Sequence, residues 1–294
     1  MYNKLIHRLR KGRIPVIGDL HCHTRLSDGS LGIEEVIALA KKSGLDFLSI
    51  TDHDTLDGNT RAEVLGNRYG IGIIHGVELS AYDYTRGRKV HILCYRSKKP
   101  ARLEGLCTKT RENRKRAGNE MARKVMRYYP ITPEMLAKYA SGSKCIFKQH
   151  IMNALYDIGY ADGFFGEVYH TLFAEEGGSC LVQPEYPDVR EVLSLVRDSG
   201  GISVLAHPGV YDSLDLLEEL AKKGLIDGAE QSHPRNTPEV SRQVEDICRQ
   251  YQLIATGGTD FHGMYTPRPN PLGSHITTQE SLDRIFSHQA ENLG

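Results

Sequence analysis

Apolar positions along the chain follow two alternating rhythms. Short runs at 16–21, 47–51, 71–77, 89–95, 202–206, 225–229 and 253–256 have the length of buried strands. Between them the apolar residues space out. Ile33, Val36, Ile37 and Ala40 fall at i, i+3, i+4 and i+7, and Val189, Val192, Leu193 and Val196 repeat that spacing. Leu214, Leu217 and Ala221, and then Val240, Val244, Ile247, Cys248 and Tyr251, mark two further helical stripes. Asp28-Gly29 reads as a turn, with Ser30 placed to cap the helix that follows. Ser43-Gly44 and Ser199-Gly200-Gly201 read as helix ends. Strand and helix in alternation predict an α/β fold, a mostly parallel sheet with helices outside, closed or not into a barrel.

One stretch breaks this rhythm. From 97 to 184 the pattern is helical and basic, with Leu103, Leu106, Met121, Val125 and Met126 set among many Lys and Arg. The expected organisation is therefore one α/β domain made of 1–96 and 185–294, with 97–184 inserted as a helical subdomain over its mouth.

The charge balance sharpens that picture. The chain of 294 residues has 37 basic and 37 acidic side chains, so its net charge is zero. Yet 98–160 holds 14 Lys and Arg against 5 Asp and Glu, which points to an anionic ligand nearby. No apolar run approaches the roughly 20 residues of a membrane span, and the basic segment 1–13 lacks the apolar core of a secretory signal. The six cysteines are scattered without a C-x-x-C pair, which fits a reduced, cytoplasmic setting. Nothing in the sequence points to a protein partner.

The chemistry gathers where apolar runs stop. His21 and His23 stand two apart at the end of the first run, and i and i+2 of a strand share a face. Their imidazoles suit neighbouring positions on one cation, whereas Cys22 between them faces away. Asp28, His53, Glu78, His91, His207, Asp260 and His262 also lie on or just after strands. Asp260 and His262 repeat the i, i+2 spacing, so the first and last strands should face each other. Six histidines and three carboxylates without a thiolate suit Mn²⁺, Zn²⁺ or Fe²⁺. Nine donors exceed one coordination sphere and match two or three divalent ions sharing a bridging carboxylate. Glu230 and His233 follow another strand, and His233 is a candidate contact to phosphate or leaving group. His75 reads as structural, and His7, His170, His275 and His288 lack comparable context.

His21-Cys22-His23, Thr51-Asp52-His53, Gly76-Val77-Glu78, Val90-His91, Ala206-His207-Pro208 and Gly258-Thr259-Asp260-Phe261-His262 resemble, in order, the successive motifs of the polymerase-and-histidinol-phosphatase (PHP) family of metal-dependent phosphoesterases. The resemblance implies a distorted (β/α)7 barrel with two or three metals at the strand ends. It implies that His21, His23, Glu78 and Asp260 hold the first ion. Glu78 would bridge to a second ion held by His91 and His207. Asp28, His53 and His262 would hold the third, with Asp28 standing where some relatives have His. Glu78, Asp260 and His207 are then the residues closest to the chemistry, and the nucleophile is hydroxide from a metal-bridging water.

The insertion resembles the branch of nucleotide phosphatases and 5′-to-3′ exoribonucleases. That resemblance implies 3′,5′-bisphosphonucleotides or short 5′-phosphorylated oligonucleotides as substrates, and Arg114, Lys148 and His150 as phosphate contacts. Arg111 and Arg116 read as surface helix charge. Two rival functions remain on sequence grounds. A histidinol-phosphate phosphatase has less need of so large a basic insertion, and a non-catalytic metal-binding module has less need of the full ligand set.

Overall fold

Eight strands in two sheets frame the described residues, 15–288 of the computed structural model. In the smaller sheet β1 (Gly18–Cys22), β2 (Phe47–Ile50) and β3 (Gly72–Ile73) run parallel in that order. In the larger, β4 (Gly76–Asp83), β5 (Arg88–Tyr95), β6 (Ile202–Leu205), β7 (Gly228–Ser232) and β8 (Ile254–Gly257) lie side by side in chain order. β6, β7 and β8 are parallel, but β5 is antiparallel to both its neighbours. The parallel expectation fails there because the link from β4 to β5 is a tight turn, in which Asp83 O accepts from Gly87 N at 2.8 Å. A connection that short allows only a hairpin.

The strands pair in two sheets, one of three strands and one of five, that meet at their edges. Only Ile74 and His75 separate β3 from β4. Isolated bridges His53–Glu78 and Cys22–Phe261 tie the sheets together. The ladder is interrupted at Asp19/Cys22 and at Glu230/Ser232, where the strands shift register. Glu78 is the third residue of β4, inside the strand and not beyond its end, because β4 stays paired to β5 as far as Asp83–Arg88.

Strand alternation sorts the core. Cys22, Leu48 and Ile50 face outward onto Val36, Ile37 and Ala40 of α1 (Ile33–Lys42) and Leu65 of α2 (Asn59–Tyr69). Leu20, Leu93, Tyr95, Val204 and Ile254 meet in the interior, where Tyr95 Oη donates to Leu20 O at 2.8 Å. α1 begins after Gly32, whose N–H donates to the Glu35 carboxylate at 2.6 Å. Ser30 does not cap it, since Ser30 Oγ instead accepts from Met264 N at 2.8 Å.

The basic stretch forms α3 (Ala101–Val125), α4 (Pro133–Tyr139), α5 (Lys148–Asp157) and α6 (Glu167–Phe173). Met121, Val125, Leu136, Ile151, Leu155 and Phe173 give these helices a core of their own. α3 also belongs to the sheet core. Leu103 and Leu106 near its start pack with Val77, Leu79 and Ile92, and with Val192 and Val196 of α7 (Val189–Asp198). The outer layer is completed by α8 (Leu214–Lys222), α9 (Pro238–Gln250) and α10 (Gln279–Ser287). Among the described residues no helix is long and apolar enough to cross a membrane.

Candidate metal centre and phosphate-binding residues

The end of β1 lies against the segment after β8. His23 N donates to Phe261 O at 2.8 Å, and Phe261 N donates to His21 O at 3.2 Å. Gly258 permits this approach, because a Cβ there would lie 2.3 Å from His21 Cβ. Asp54, His207 and Asp260 all adopt positive φ (53°, 30° and 51°), a conformation side chains rarely accept. Such strain persists where surrounding contacts over-determine it, commonly at functional sites.

All nine predicted metal ligands converge. His21 Nε2 lies 3.4 Å from Glu78 Oε1 and 3.5 Å from Asp260 Oδ1. His23 Nε2 lies 3.2 Å from Glu78 Oε2 and 3.2 Å from Asp260 Oδ1. Glu78 Oε1 also stands 2.7 Å from His91 Nδ1 and 3.0 Å from His207 Nε2, and those two nitrogens are 3.3 Å apart. A third group forms where His262 Nε2 is 3.2 Å and His53 Nε2 3.8 Å from the Asp28 carboxylate. His53 Nδ1 also reaches Glu78 Oε2 at 3.0 Å. Donors each about 2.1 Å from one small cation stand about 3 to 3.5 Å apart, so these separations are those of coordination-shell edges.

The fit to cations has independent support. His21 Nε2, His23 Nε2, Asp28 Oδ1, His53 Nδ1 and Glu78 Oε2 are buried without a hydrogen-bond partner. Leaving such atoms unsatisfied is costly, and divalent ions among them remove that cost. The electrostatics agree. Burial works to raise the Glu78 carboxyl, but His91, His53 and His21 hold it well below the carboxylate range. Asp260 is depressed in the same way against burial, chiefly by His21 and His262. Burial pushes the His91 imidazole down to about 4, against the opposing pull of the Glu78 carboxylate.

Further carboxylates orient the ligands. Glu230 faces His21 Nδ1 at 3.1 Å and accepts from His207 N at 2.8 Å. Asp52 accepts from Thr24 N at 2.7 Å and Ser27 Oγ at 2.5 Å, and Asp19 from Thr259 N at 2.9 Å. Such contacts fix imidazole tautomers and loop positions around a metal. Asp19 and Asp52 were readable as acids within two residues of a ligand.

Of the predicted phosphate contacts, Arg114 comes from α3 and donates to Asp54 Oδ2 at 3.0 Å and Ser80 Oγ at 2.6 Å. Its guanidinium stacks 5.0 Å from Phe147 and 5.5 Å from Tyr186. Lys148 opens α5, and the next residue, Gln149, donates from Nε2 to Asp28 Oδ2 at 3.1 Å. Burial, with Lys89 nearby, lowers the Lys148 ammonium to about 8. His150 is buried and its Nδ1 accepts from Phe147 N at 3.2 Å, so this ring holds the start of α5. His233 is buried, its Nδ1 accepting from Arg235 N at 3.1 Å and its Nε2 lying 3.4 Å from Asp260 Oδ2.

Sequence reasoning missed Asp54, Ser80, Gln149 and Lys89. Lys89 had a signal, because it stands two residues before His91 on the same strand face. Arg111 donates to Asp54 O at 2.6 Å, and His75 pairs with exposed Glu63 at 3.0 Å. His170, His275 and His288 do not join the metal-binding groups, and His7 lies outside the described residues.

Comparison with known proteins extends this geometry. The model of the PHP domain matches residues 19–198. A phosphoribosyl 1,2-cyclic phosphate 1,2-diphosphodiesterase of Eggerthella lenta is 39% identical over 258 residues, 87% of this chain and 97% of that one. The 5′-3′ exoribonuclease Rnm of Salmonella typhimurium is 30% identical, over 84% of this chain and 85% of its own. A solved structure from Bifidobacterium adolescentis, assigned as a metal-dependent phosphoesterase, superposes with a TM-score of 0.83 at 27% identity, covering 92% of this chain and 95% of that one. Motif order, converging donors and these likenesses agree: the chain belongs to the PHP-domain family and is a metal-dependent phosphoesterase.

Proposed function

We propose that the substrate is a phosphorylated ribose carrying a cyclic phosphodiester, opened to a phosphomonoester. One observation carries the phosphoester chemistry: buried donor atoms without protein partners stand beside the enclosed cation Arg114. The 39% identity to a diphosphodiesterase, over nearly its whole length, supports the substrate class. Manganese is the proposed metal, in two or three sites, since nitrogen and oxygen donors without thiolate suit it. When bound, such ions supply Lewis acidity and lower the pKa of a bound water toward about 7.

The chain's own residues then have distinct tasks. Arg114 neutralises the non-bridging oxygens of the reacting phosphate, Lys148 adds positive charge for the rest of the phosphorylated substrate, and Glu230 keeps His21 Nδ1 occupied so that Nε2 faces the cluster. In the reaction water adds to phosphorus, one ring P–O bond breaks, and the freed sugar oxygen takes a proton. His233 carries its proton on Nε2, because Nδ1 is accepting from Arg235 N. That atom lies 3.4 Å from Asp260 Oδ2, placed to pass a proton to the freed oxygen, with the proton released by the attacking water replacing it. For the scaffold, we read the two sheets as arcs of one distorted seven-stranded barrel, with β3 and β4 as a single kinked strand and 97–184 as its cover.

A second reading has its own observation. Tyr186 is half-buried beside Arg114, where an aromatic ring can pack against a nucleobase, which favours a 3′,5′-bisphosphonucleotide or a 5′-phosphorylated oligonucleotide. Manganese-loaded protein should be assayed with phosphoribosyl 1,2-cyclic phosphate, 3′,5′-bisphosphoadenosine, a 5′-phosphorylated pentaribonucleotide and histidinol phosphate. The expected result is a kcat/KM at least tenfold higher for the cyclic ester. A higher value for either nucleotide substrate would replace the first reading with the second.

A further inference from the structure

Beside the metal cluster lies a group of cations with too few counter-charges. Lys89 shares a face of β5 with His91, two residues on, so it stands on the same side of the sheet about 7 Å along the strand. Lys148 approaches from α5, its ammonium 6.0 Å over the Tyr169 ring. Lys89 and Lys148 are close enough to repel each other, and Arg114 adds to that repulsion. The acid facing Lys89 is Glu175, at 2.6 Å. Glu175 lies just past α6, is itself two-thirds exposed, and is otherwise held by Gln183 Nε2 at 3.4 Å. A carboxylate reaching from an exposed segment to a half-enclosed pair of ammonium groups occupies the place of an anion.

We propose that Lys89 and Lys148 form a second phosphate subsite, taking the distal phosphomonoester of a sugar whose reacting ester lies on the metal cluster, and that Glu175 fills this subsite until substrate displaces it. The inference rests on the reading of a doubly phosphorylated ribose substrate given above. The spacing suits it, since the distance from His91 to Lys89 along the strand is comparable with the reach of a pentose from its ring carbons to its exocyclic phosphate. Lysine binds phosphate as a point charge. Lys89 thus acts as a specificity residue, selecting sugars that carry the second phosphate.

The test avoids dependence on the natural substrate. Manganese-loaded protein is assayed with the generic diester bis(p-nitrophenyl) phosphate, with ribose 5-phosphate and ribose as competing ligands. Wild type is expected to bind ribose 5-phosphate at least 30-fold more tightly than ribose. Lys89→Gln should cut that ratio at least tenfold, and Lys89→Arg should recover most of it. Glu175→Gln, which leaves the ammonium groups unpaired, should tighten ribose 5-phosphate about threefold. Calorimetric titration of the same variants with ribose 5-phosphate gives the affinities without turnover. An unchanged ratio in Lys89→Gln, or weaker binding in Glu175→Gln, overturns the subsite. Failure to turn over the cyclic ester, with these ratios as expected, overturns only the substrate reading.

Discussion

His21 Nδ1 lies 3.1 Å from Glu230 Oε1, and both residues are buried. The same carboxylate accepts the backbone N–H of His207 at 2.8 Å through Oε2. One acid thereby orients a ligand from β1 and another from the end of β6, both of which reach Glu78 Oε1. Glu230→Gln keeps the shape and removes the charge. It is expected to weaken metal binding roughly 10- to 100-fold, read by metal analysis after dialysis against graded manganese. Wild-type occupancy throughout would show that Glu230 has no positioning role.

Chelation should lower thermal stability as well as activity. Ions that bind only the folded chain stabilise it by mass action, about 2.7 kcal/mol per site at a hundredfold excess over Kd. For a domain of this size that corresponds to a melting temperature roughly 5 to 10 °C lower after chelator treatment. Calorimetric scans with and without added manganese measure it. Superimposable scans would contradict a metal-filled cluster.

Gly258 sets how closely the ends of β1 and β8 approach. Gly258→Ala would place a methyl group 2.3 Å from His21 Cβ and 2.6 Å from His21 N, where rigid backbone has little room to yield. The expected cost is about 1 to 3 kcal/mol of stability. Loss of bound metal should accompany it, because Asp260 would be carried away from His21 and His23. Urea unfolding and metal analysis test both parts; an alanine variant of native stability and full occupancy would show that the strands separate freely.

Lys148 gives substrate binding an alkaline limit. Burial and then Lys89 hold its ammonium at about 8, against an ordinary 10.5. Between those values the unfolded chain holds more protons than the folded one, so this group's contribution to stability rises with pH across that window. Phosphate binding has the opposite sign, because the charge is present below about 8 and fades above it. KM should therefore climb between pH 8 and 9.5 in wild type. Lys148→Arg, charged throughout, should flatten that climb, and coincident KM profiles would assign the limit to another group.

Much of the site was legible because its ligands follow local rules. His21 with His23, and Asp260 with His262, announce themselves by strand spacing alone, and the structure places the two pairs side by side. The clamp on Arg114 was not legible. Asp54 and Ser80 meet it from 60 and 34 residues away, which no local pattern encodes. The reversed direction of β5 escaped notice because an apolar run looks the same in either orientation. His150 was legible only in part, since a histidine beside a lysine at a helix start suits an anion contact and a helix cap equally well, and its Nδ1 serves the cap.

α3 spans 25 residues, about 37 Å of continuous helix. Its first turns are fastened into the sheet layer by Leu103 and Leu106, and its last turns into the helical layer by Met121 and Val125. Arg114 stands midway, like a fulcrum on a beam fixed at both ends. With both ends fastened, the middle of the beam has no freedom to tilt, so the guanidinium beside Asp54 and Ser80 keeps one station.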